Sequence, residues 1–387
     1  MNRNGWTYKK LGDICESELG KTLNHSTDTG NLYPYLCAIN ILWDKIDLST
    51  LKETRFEESE IGRYTVNKGD LLICEGGDVG RAAIWLNDEP ILYQNALHRV
   101  RFDDGFNTRF YLYYLKYLKE SGIIDSRYSK GVTIKHLVKS SLLSIPVPIP
   151  KFETQTQIVS ELDSLKDSVT MLQQQVKDLD TLALSLFYDM FGDPIENPKH
   201  WDVVKLGSIS EPTIGLTYKP ENVVDNDEGT VVLRSSNIQE SQLAFDDIVR
   251  VNIPIKEEKY VRDGDILMCS RNGSFKLVGK VAMIKGLSEK MSYGAFMTII
   301  RSNYNPYLFA YFKTPAFREY MNLGKTSTVN QVTVNMLKNI SLPLPPANLQ
   351  DIFASKIATI EGSKSLLNTQ ITEMQNLLAS RMQYWFD

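Results

Sequence analysis

Residues 158–190 read IVSELDSLKDSVTMLQQQVKDLDTLALSLFYDM. Apolar side chains fall at Ile158, Leu162, Leu165, Val169, Leu172, Val176, Leu179, Ala183, Leu186 and Met190, a 4-3-4-3 spacing held over 33 residues. A period of 3.5 is the signature of a coiled-coil seam. Adding 195 to each number lands on Phe353, Ile357, Ile360, Lys364, Leu367, Ile371, Met374, Leu378, Arg381 and Trp385, the same register with two basic departures. Each helix is expected to be roughly 50 Å long at about 1.5 Å per residue. Proline-rich leads precede both, Ile145-Pro-Val-Pro-Ile-Pro150 and Leu342-Pro-Leu-Pro-Pro346, and let extended chain run into helix. Neither helix is stable alone with its stripe exposed, so the two are expected to pair. A module intervenes between them and the halves are equivalent, which favours an antiparallel pair about a pseudo-two-fold axis.

The offset of 195 is not confined to the helices. Trp6, Leu11 and Gly12 match Trp201, Leu206 and Gly207; Gly69, Asp70 and Cys74 match Gly264, Asp265 and Cys269. The same offset returns at Lys130/Lys325, Thr133/Thr328, Ile145/Ile340, Pro148/Pro343 and Gln155/Gln350, and drifts to 199 and 200 at Gly80/Gly279 and Tyr93/Tyr293. The chain is therefore a duplication. It divides into a module at 1–150, a helix at 151–192, a second module at 193–346 and a second helix at 347–387. The stretches 66–74 and 260–269 each read as a polar turn leading into a buried strand, similar short strands are expected at 33–39, 81–85, 231–234 and 278–284, and helices at 109–120 and 307–320. The expected fold is α/β (α+β): two similar modules with twisted, mainly antiparallel sheets, separated by two long helices forming an antiparallel coiled coil. The aromatics of the 109–120 and 307–320 patches read as core before they read as a base-stacking platform.

Of 387 residues, 42% are hydrophobic and 23% charged, with a mean hydropathy of −0.24, so sizeable cores are available. No run of about 18 apolar residues occurs, and the start Met-Asn-Arg-Asn-Gly-Trp6 lacks a leader's apolar stretch. Cys15, Cys37, Cys74 and Cys269 stand far apart, without a zinc or disulfide pattern. A cytoplasmic location and no membrane contact follow as expectations. The net charge of −4 speaks at first against a nucleic-acid partner, but the acidity sits in the helices. By segment the balance is 0, −4, +1 and −1, and the windows 126–152, 266–288 and 320–350 hold no carboxylate. Such basic faces bind phosphate.

Catalytic sets are missing. Gly20-Lys21, Gly279-Lys280 and Gly324-Lys325 lack the upstream glycine of a phosphate loop. There is no Asn-Pro-Pro-Tyr or Asp-Pro-Pro-Tyr tetrapeptide and no glycine fingerprint for S-adenosylmethionine. Asp246-Asp247 with Glu257-Glu-Lys259 could be taken for a nuclease set, but its counterpart Glu57-Glu-Ser-Glu60 has no lysine. His25, His98, His136 and His200 lack motif partners, and no metal site is expected. The expectation is a binding protein, with no cofactor bound by this chain.

Two divergent modules, each closed by a Pro-rich lead and a long heptad helix, resemble the specificity (S) subunit of Type I restriction-modification systems. The residues that carry the resemblance are Pro345-Pro-Ala-Asn-Leu-Gln350 before Phe353, Pro150-Lys-Phe-Glu-Thr-Gln155 before Ile158, and Leu-Gly at 11–12 and 206–207. Gly-Asp-Leu-Leu at 69–72, Gly-Asp-Ile-Leu at 264–267, Gln94-Asn95 and Lys130-Gly-Val-Thr133 add to it. The first copy departs with Lys151 for the second proline, and Tyr293-Gly294-Ala295 stands where the first half has Tyr93-Gln94-Asn95. The resemblance implies a non-catalytic DNA-recognition subunit of an adenine-N6 methyltransferase/endonuclease. Its two target-recognition domains each read one half of an asymmetric bipartite site in double-stranded DNA. The helices set the spacer and dock methyltransferase (M) subunits, two per chain, which use S-adenosylmethionine. Restriction (R) subunits, using ATP and Mg, join the assembled complex. A two-module protein-interaction adaptor without DNA binding is the alternative.

Arg or Lys suits guanine, Asn or Gln suits adenine, and Ser or Thr adapts to either. The first module's candidates are Lys21, Thr22, Asn24 and His25, with Arg127, Ser129, Lys130, Thr133 and Lys135, and then Arg81, Gln94 and Asn95. The second module's are Thr217, Tyr218 and Lys219; Arg234, Ser236 and Asn237; Arg271, Asn272, Ser274 and Lys276; and Lys325, Thr326, Thr328, Asn330 and Gln331. Phosphate and sugar take half to two-thirds of contacts in such interfaces, so most of these are expected to position rather than read.

Overall fold

The computed structural model describes residues 5–24, 28–131, 135–225, 228–323 and 330–387. The chain forms two compact units, Met1–Gln173 with Asn368–Asp387, and Gln174–Leu367. The division cuts both long helices, Phe152–Phe191 and Ala347–Phe386, so each unit contains a module and part of each helix.

In the first unit Cys15–Leu19, Leu97–Phe102, Leu71–Cys74 and Ala82–Ile84 lie side by side in one antiparallel sheet. A second sheet orders Lys52–Phe56, Asn31–Leu36, Ile91–Tyr93 and Thr65–Val66, and only its central pair is parallel. The second unit repeats the antiparallel sheet strand for strand and the parallel pair of the other, whose short edge strand lies on the opposite side. Glu211–Ile214, Met297–Arg301, Ile266–Cys269 and Val281–Met283 make the antiparallel sheet. Val223–Val224, Arg250–Val251, Thr230–Leu233 and Met291–Tyr293 make the other, whose last pair is parallel. The duplication is thus one of topology as well as of sequence, and antiparallel pairing predominates.

The repeated dipeptides have structural causes. Gly69 and Gly264 turn the chain at φ +94° and +89°, a conformation that glycine adopts without steric cost. The following Asp70 and Asp265 are almost fully buried. Each accepts a two-pronged bond from an arginine on the neighbouring strand, Arg101 at 2.7 and 2.7 Å and Arg301 at 2.8 and 2.6 Å. Gly20 and Gly215 are needed for close approach: a Cβ would stand 2.3 Å from the Gln94 carbonyl and 2.1 Å from that of Tyr293. This is why those glycines occur without a phosphate loop. The Pro-rich leads form Pro146–Ile149 and Ser341–Pro343, paired with Thr7–Lys10 and Val203–Lys205. Gln155 and Gln350 are buried and donate back to the carbonyls of Pro150 and Pro345, at 3.0 and 2.7 Å, which fixes the entry into each long helix.

The helices Thr108–Glu120 and Asn305–Phe312 supply core, with Phe110, Tyr111, Leu115, Tyr307 and Leu308 all essentially inaccessible. The single helix expected over 307–320 is two, Asn305–Phe312 and Pro315–Leu323. Pro315 has no N–H to continue the first, and the Thr314 hydroxyl accepts from the Phe317 N–H instead.

Along the long helices every residue of the 4-3 stripe is buried or half-buried. In the first unit Glu161 accepts from Arg381, and from Trp385 Nε1 at 3.1 Å. In the second, Lys364 Nζ donates to Asp180 Oδ1 at 2.7 Å. The two basic departures from the seam therefore each meet a carboxylate of the opposite helix, and the helices run antiparallel. The stripe understates the packing. Phe187, Phe191, Met382 and Phe386 lie off it and are more buried than Met190 and Trp385, its last residues on each helix, because here the helices enter the module cores. Phe187 stacks on Tyr307 with ring centroids 5.7 Å apart, and Phe386 meets Phe110 edge-on at 5.4 Å.

Candidate nucleic-acid interface

Both modules build one backbone frame at the end of the strand after the Gly-Asp turn. In the first, the Glu75 N–H donates to the Ala96 carbonyl at 2.9 Å, the Leu137 N–H donates to the Glu75 carbonyl at 2.7 Å, and Gly76 bridges His136. In the second, the Ser270 N–H donates to the Phe296 carbonyl at 2.8 Å, the Val332 N–H donates to the Ser270 carbonyl at 2.7 Å, and Arg271 bridges Gln331. Equal frames carry unequal side chains: Gly76, Ala96 and His136 in one module, Arg271, Phe296 and Gln331 in the other.

The second frame gathers many of the residues expected to read bases. Arg271 is exposed, and its guanidinium lies over the Phe296 ring, 5.3 Å from the centroid. Asn272 Nδ2 donates to Ser235 Oγ at 3.1 Å and its Oδ1 accepts from the Ser274 N–H at 3.0 Å. Asn330 Nδ2 donates to the Gly273 carbonyl at 3.0 Å. Gln331, Ser274 and Lys276 are exposed. The windows 266–288 and 320–350 are thus neighbours in space. Thr217 and Lys219 are exposed, Lys219 lying 3.6 Å from Glu221, and Tyr218 is half-buried; they follow Leu216, which bridges Gly294. Ser236 is half-buried, its carbonyl taking Gln239 Nε2. Lys325, Thr326 and Thr328 lie outside the described residues.

Several expected readers are held by protein partners. Lys21 is buried, with Nζ 2.6 Å from Glu60 Oε2 and 2.9 Å from the Arg55 carbonyl. Burial works against its charge, but Glu60 and Asp28 outweigh it and hold its pKa above the ordinary lysine value. Asn237 is buried, accepting from the Arg234 N–H and donating to the carbonyls of Ala244 and Asp247, as Asn40 does in the first module toward Cys37 and Asp47. Arg81 donates to the Ala38 carbonyl at 2.9 Å, its counterpart Lys280 to that of Ile238 at 2.8 Å, so both staple a neighbouring turn. Arg234 donates to Asp247 at 2.7 Å, and Ser129 Oγ to the Ile124 carbonyl at 3.0 Å.

The first module's basic window is less basic in space than in sequence. Lys135 lies 3.7 Å from Asp125, Lys139 3.0 Å from Glu18, and His136 Nδ1 2.9 Å from Glu75 Oε2. Lys130 is exposed. Arg127 is exposed and lines a cavity of about 490 Å³ with Tyr8, Tyr114 and Tyr128. Thr22 and Asn95 bond each other at 3.2 Å beside Asn24, and half-buried Gln94 bridges Lys21. His25 and Thr133 lie outside the described residues. Glu257 faces Lys290 at 3.2 Å while Lys259 donates to the Ile214 carbonyl at 2.6 Å, so the nuclease-like charges are surface pairs.

The family model for the Type I restriction modification DNA specificity domain matches residues 3–179 and again 198–375. The chain belongs to that family. Among relatives, the putative type I restriction enzyme MjaX specificity subunit of Methanocaldococcus jannaschii is 24% identical, across 92% of this chain and 87% of its own. The EcoKI specificity subunit of Escherichia coli is 26% identical over 47% of this chain and 40% of its own. The S subunit of a Type I system from M. genitalium shares the fold with a TM-score of 0.52 at 15% identity, covering 100% and 98% of the two chains. A chain from a type I R-M system studied for complex assembly and conformational transition gives 0.63 at 17%, with the same coverage. The two modules of this Type I specificity subunit are its target-recognition domains. The sequence reading passed over Phe296, which lies under the Arg271 guanidinium and is 58% exposed, where an aromatic in a strand-rich module is more often core.

Proposed function

We propose that this chain recognises an asymmetric bipartite site in double-stranded DNA, one half-site per domain, as the non-catalytic specificity subunit of an adenine-N6 methyltransferase/endonuclease. The observation that carries the reading is that one family model matches twice, on two copies of one fold whose equivalent frames carry different side chains. A homodimer would read a palindrome; two unlike domains suit two unlike half-sites. In this reading the long helices set the spacer and dock M subunits, two per chain. S-adenosylmethionine belongs to those subunits, and ATP and Mg to the R subunits of the assembled complex. An intracellular location agrees with four free thiols and with the absence, among the described residues, of a helix long and apolar enough to cross a membrane.

The test is an electrophoretic shift of the chain reconstituted with its M subunits. A preference for particular duplexes over random DNA is expected. Lys130→Ala is expected to weaken binding uniformly and to reduce the salt slope by about one. Assembly with M subunits without any DNA shift would favour the protein adaptor.

A further inference from the structure

We infer that Arg271, propped on Phe296, is the guanine reader of the second half-site; the inference rests on the DNA-reading function proposed above. Three observations meet here. The first is placement. The Arg271 N–H donates to the Phe296 carbonyl at 3.1 Å and its backbone bridges Gln331, so the Cα is held from two sides. The side chain nevertheless stands in solvent, in a stretch from 266 to 288 without a carboxylate.

The second is conformational. An exposed arginine loses considerable rotamer freedom when it binds, and stacking a guanidinium on a ring restricts it beforehand. A guanidinium over a ring face keeps its forked N–H donors for a partner at its edge, and that of Arg271 stands over the Phe296 ring. That fork matches the O6 and N7 acceptors of guanine in the major groove, whereas a phosphate needs no such preparation. Phe296 is itself 58% exposed, so the ring and the guanidinium over it both face solvent.

The third is the comparison between the two domains. Frame positions equivalent to Arg271 and Phe296 hold Gly76 and Ala96, which offer neither donor nor ring. The frame itself does not demand an arginine or an aromatic, so this pair belongs to what distinguishes the second domain from the first. Arg271 is the reading residue and Phe296 a positioning residue.

The experiment uses the full chain assembled with its M subunits, competed against duplex libraries randomised one position at a time across both half-sites. R271A is expected to lower discrimination at a single guanine of the second half-site by roughly tenfold to a hundredfold, with the first half-site unchanged. R271K, which keeps charge but not the fork, is expected to behave like R271A in discrimination. F296A is expected to lose part of the preference, and F296W, which keeps a ring, to retain it. Variants R271A and R271K that keep every base preference while R271A binds all duplexes more weakly would make Arg271 a phosphate contact and overturn the inference. Full discrimination in F296A would overturn the role of Phe296. A wild-type complex without preference at any position would instead overturn the DNA-reading function itself.

Discussion

Lys364 interrupts an apolar seam, and its replacement tests what the polar pairs of the long helices do. Its side chain is 6% exposed and its Nζ lies 2.7 Å from Asp180, which is 50% exposed, with Glu361 at 3.7 Å. Removing one partner of a fully buried pair costs about 3–5 kcal/mol because a charge is left unpaired. Here one partner is half in water and Glu361 remains, so screening reduces the figure to about 1–2 kcal/mol for Asp180→Ala. For a unit of about 190 residues that lowers the melting temperature by about 2–8 °C. Lys364→Leu removes the buried ammonium and restores the apolar seam that its counterpart Val169 keeps, so the double variant is expected to melt at or above the wild-type temperature. Differential scanning calorimetry of the four proteins reads the cycle. A double variant as unstable as Asp180→Ala alone would refute the reasoning, since the loss would then not come from an uncompensated lysine.

Two other expectations follow from particular residues. Inserting one matched heptad into both long helices adds about 10 Å, close to three base pairs at about 3.4 Å each. Methylation-aware sequencing is expected to show a wider non-specific spacer with both half-sites intact, and altered half-sites would contradict the spacer role. His98 is buried, its Nε2 2.6 Å from the Leu137 carbonyl, and burial holds its pKa below the ordinary histidine value. The unfolded chain then binds more protons just below the unperturbed histidine pKa of about 6.5, so stability of the first unit is expected to fall as pH drops through that value. Equilibrium denaturation from pH 7.5 to 5.5 checks it, and a flat profile would exclude His98 as the source.

Fold and candidate site were legible to different degrees, for a physical reason. The long helices declare themselves because a 3.5-residue period is local and repeats ten times, and the duplication because one offset recurs across both halves. The aromatic patches are readable as core for the same reason. Lys21 and Arg81 were not readable, because what decides their role is an acceptor 34 to 43 residues away in sequence, at Arg55, Glu60 or Ala38. A lysine beside a loop looks the same whether its amine faces DNA or a carboxylate. The acid-free windows show the same limit: in the first module Glu75 and Glu18 meet the basic window from elsewhere in the chain, while in the second 266–288 and 320–350 meet each other.

That difference bears on how two copies of one fold come to read different sequences. The hydrogen bonds that define the frame are made by backbone atoms, so they place no demand on side chains at 76, 96 and 136 or at 271, 296 and 331. Several residues that do carry structural demands are the same in both copies: Asp70 with Arg101 and Asp265 with Arg301, Asn40 and Asn237, Gln155 and Gln350. A scaffold held by buried side chains and a rim whose shared frame is backbone can change its rim side chains without loosening its core. On the proposed reading, Arg271 on Phe296 is prepared for its base in the second domain, whereas the first, with Gly76 and Ala96, would rely on other groups such as exposed Lys130 and the Thr22–Asn95 pair.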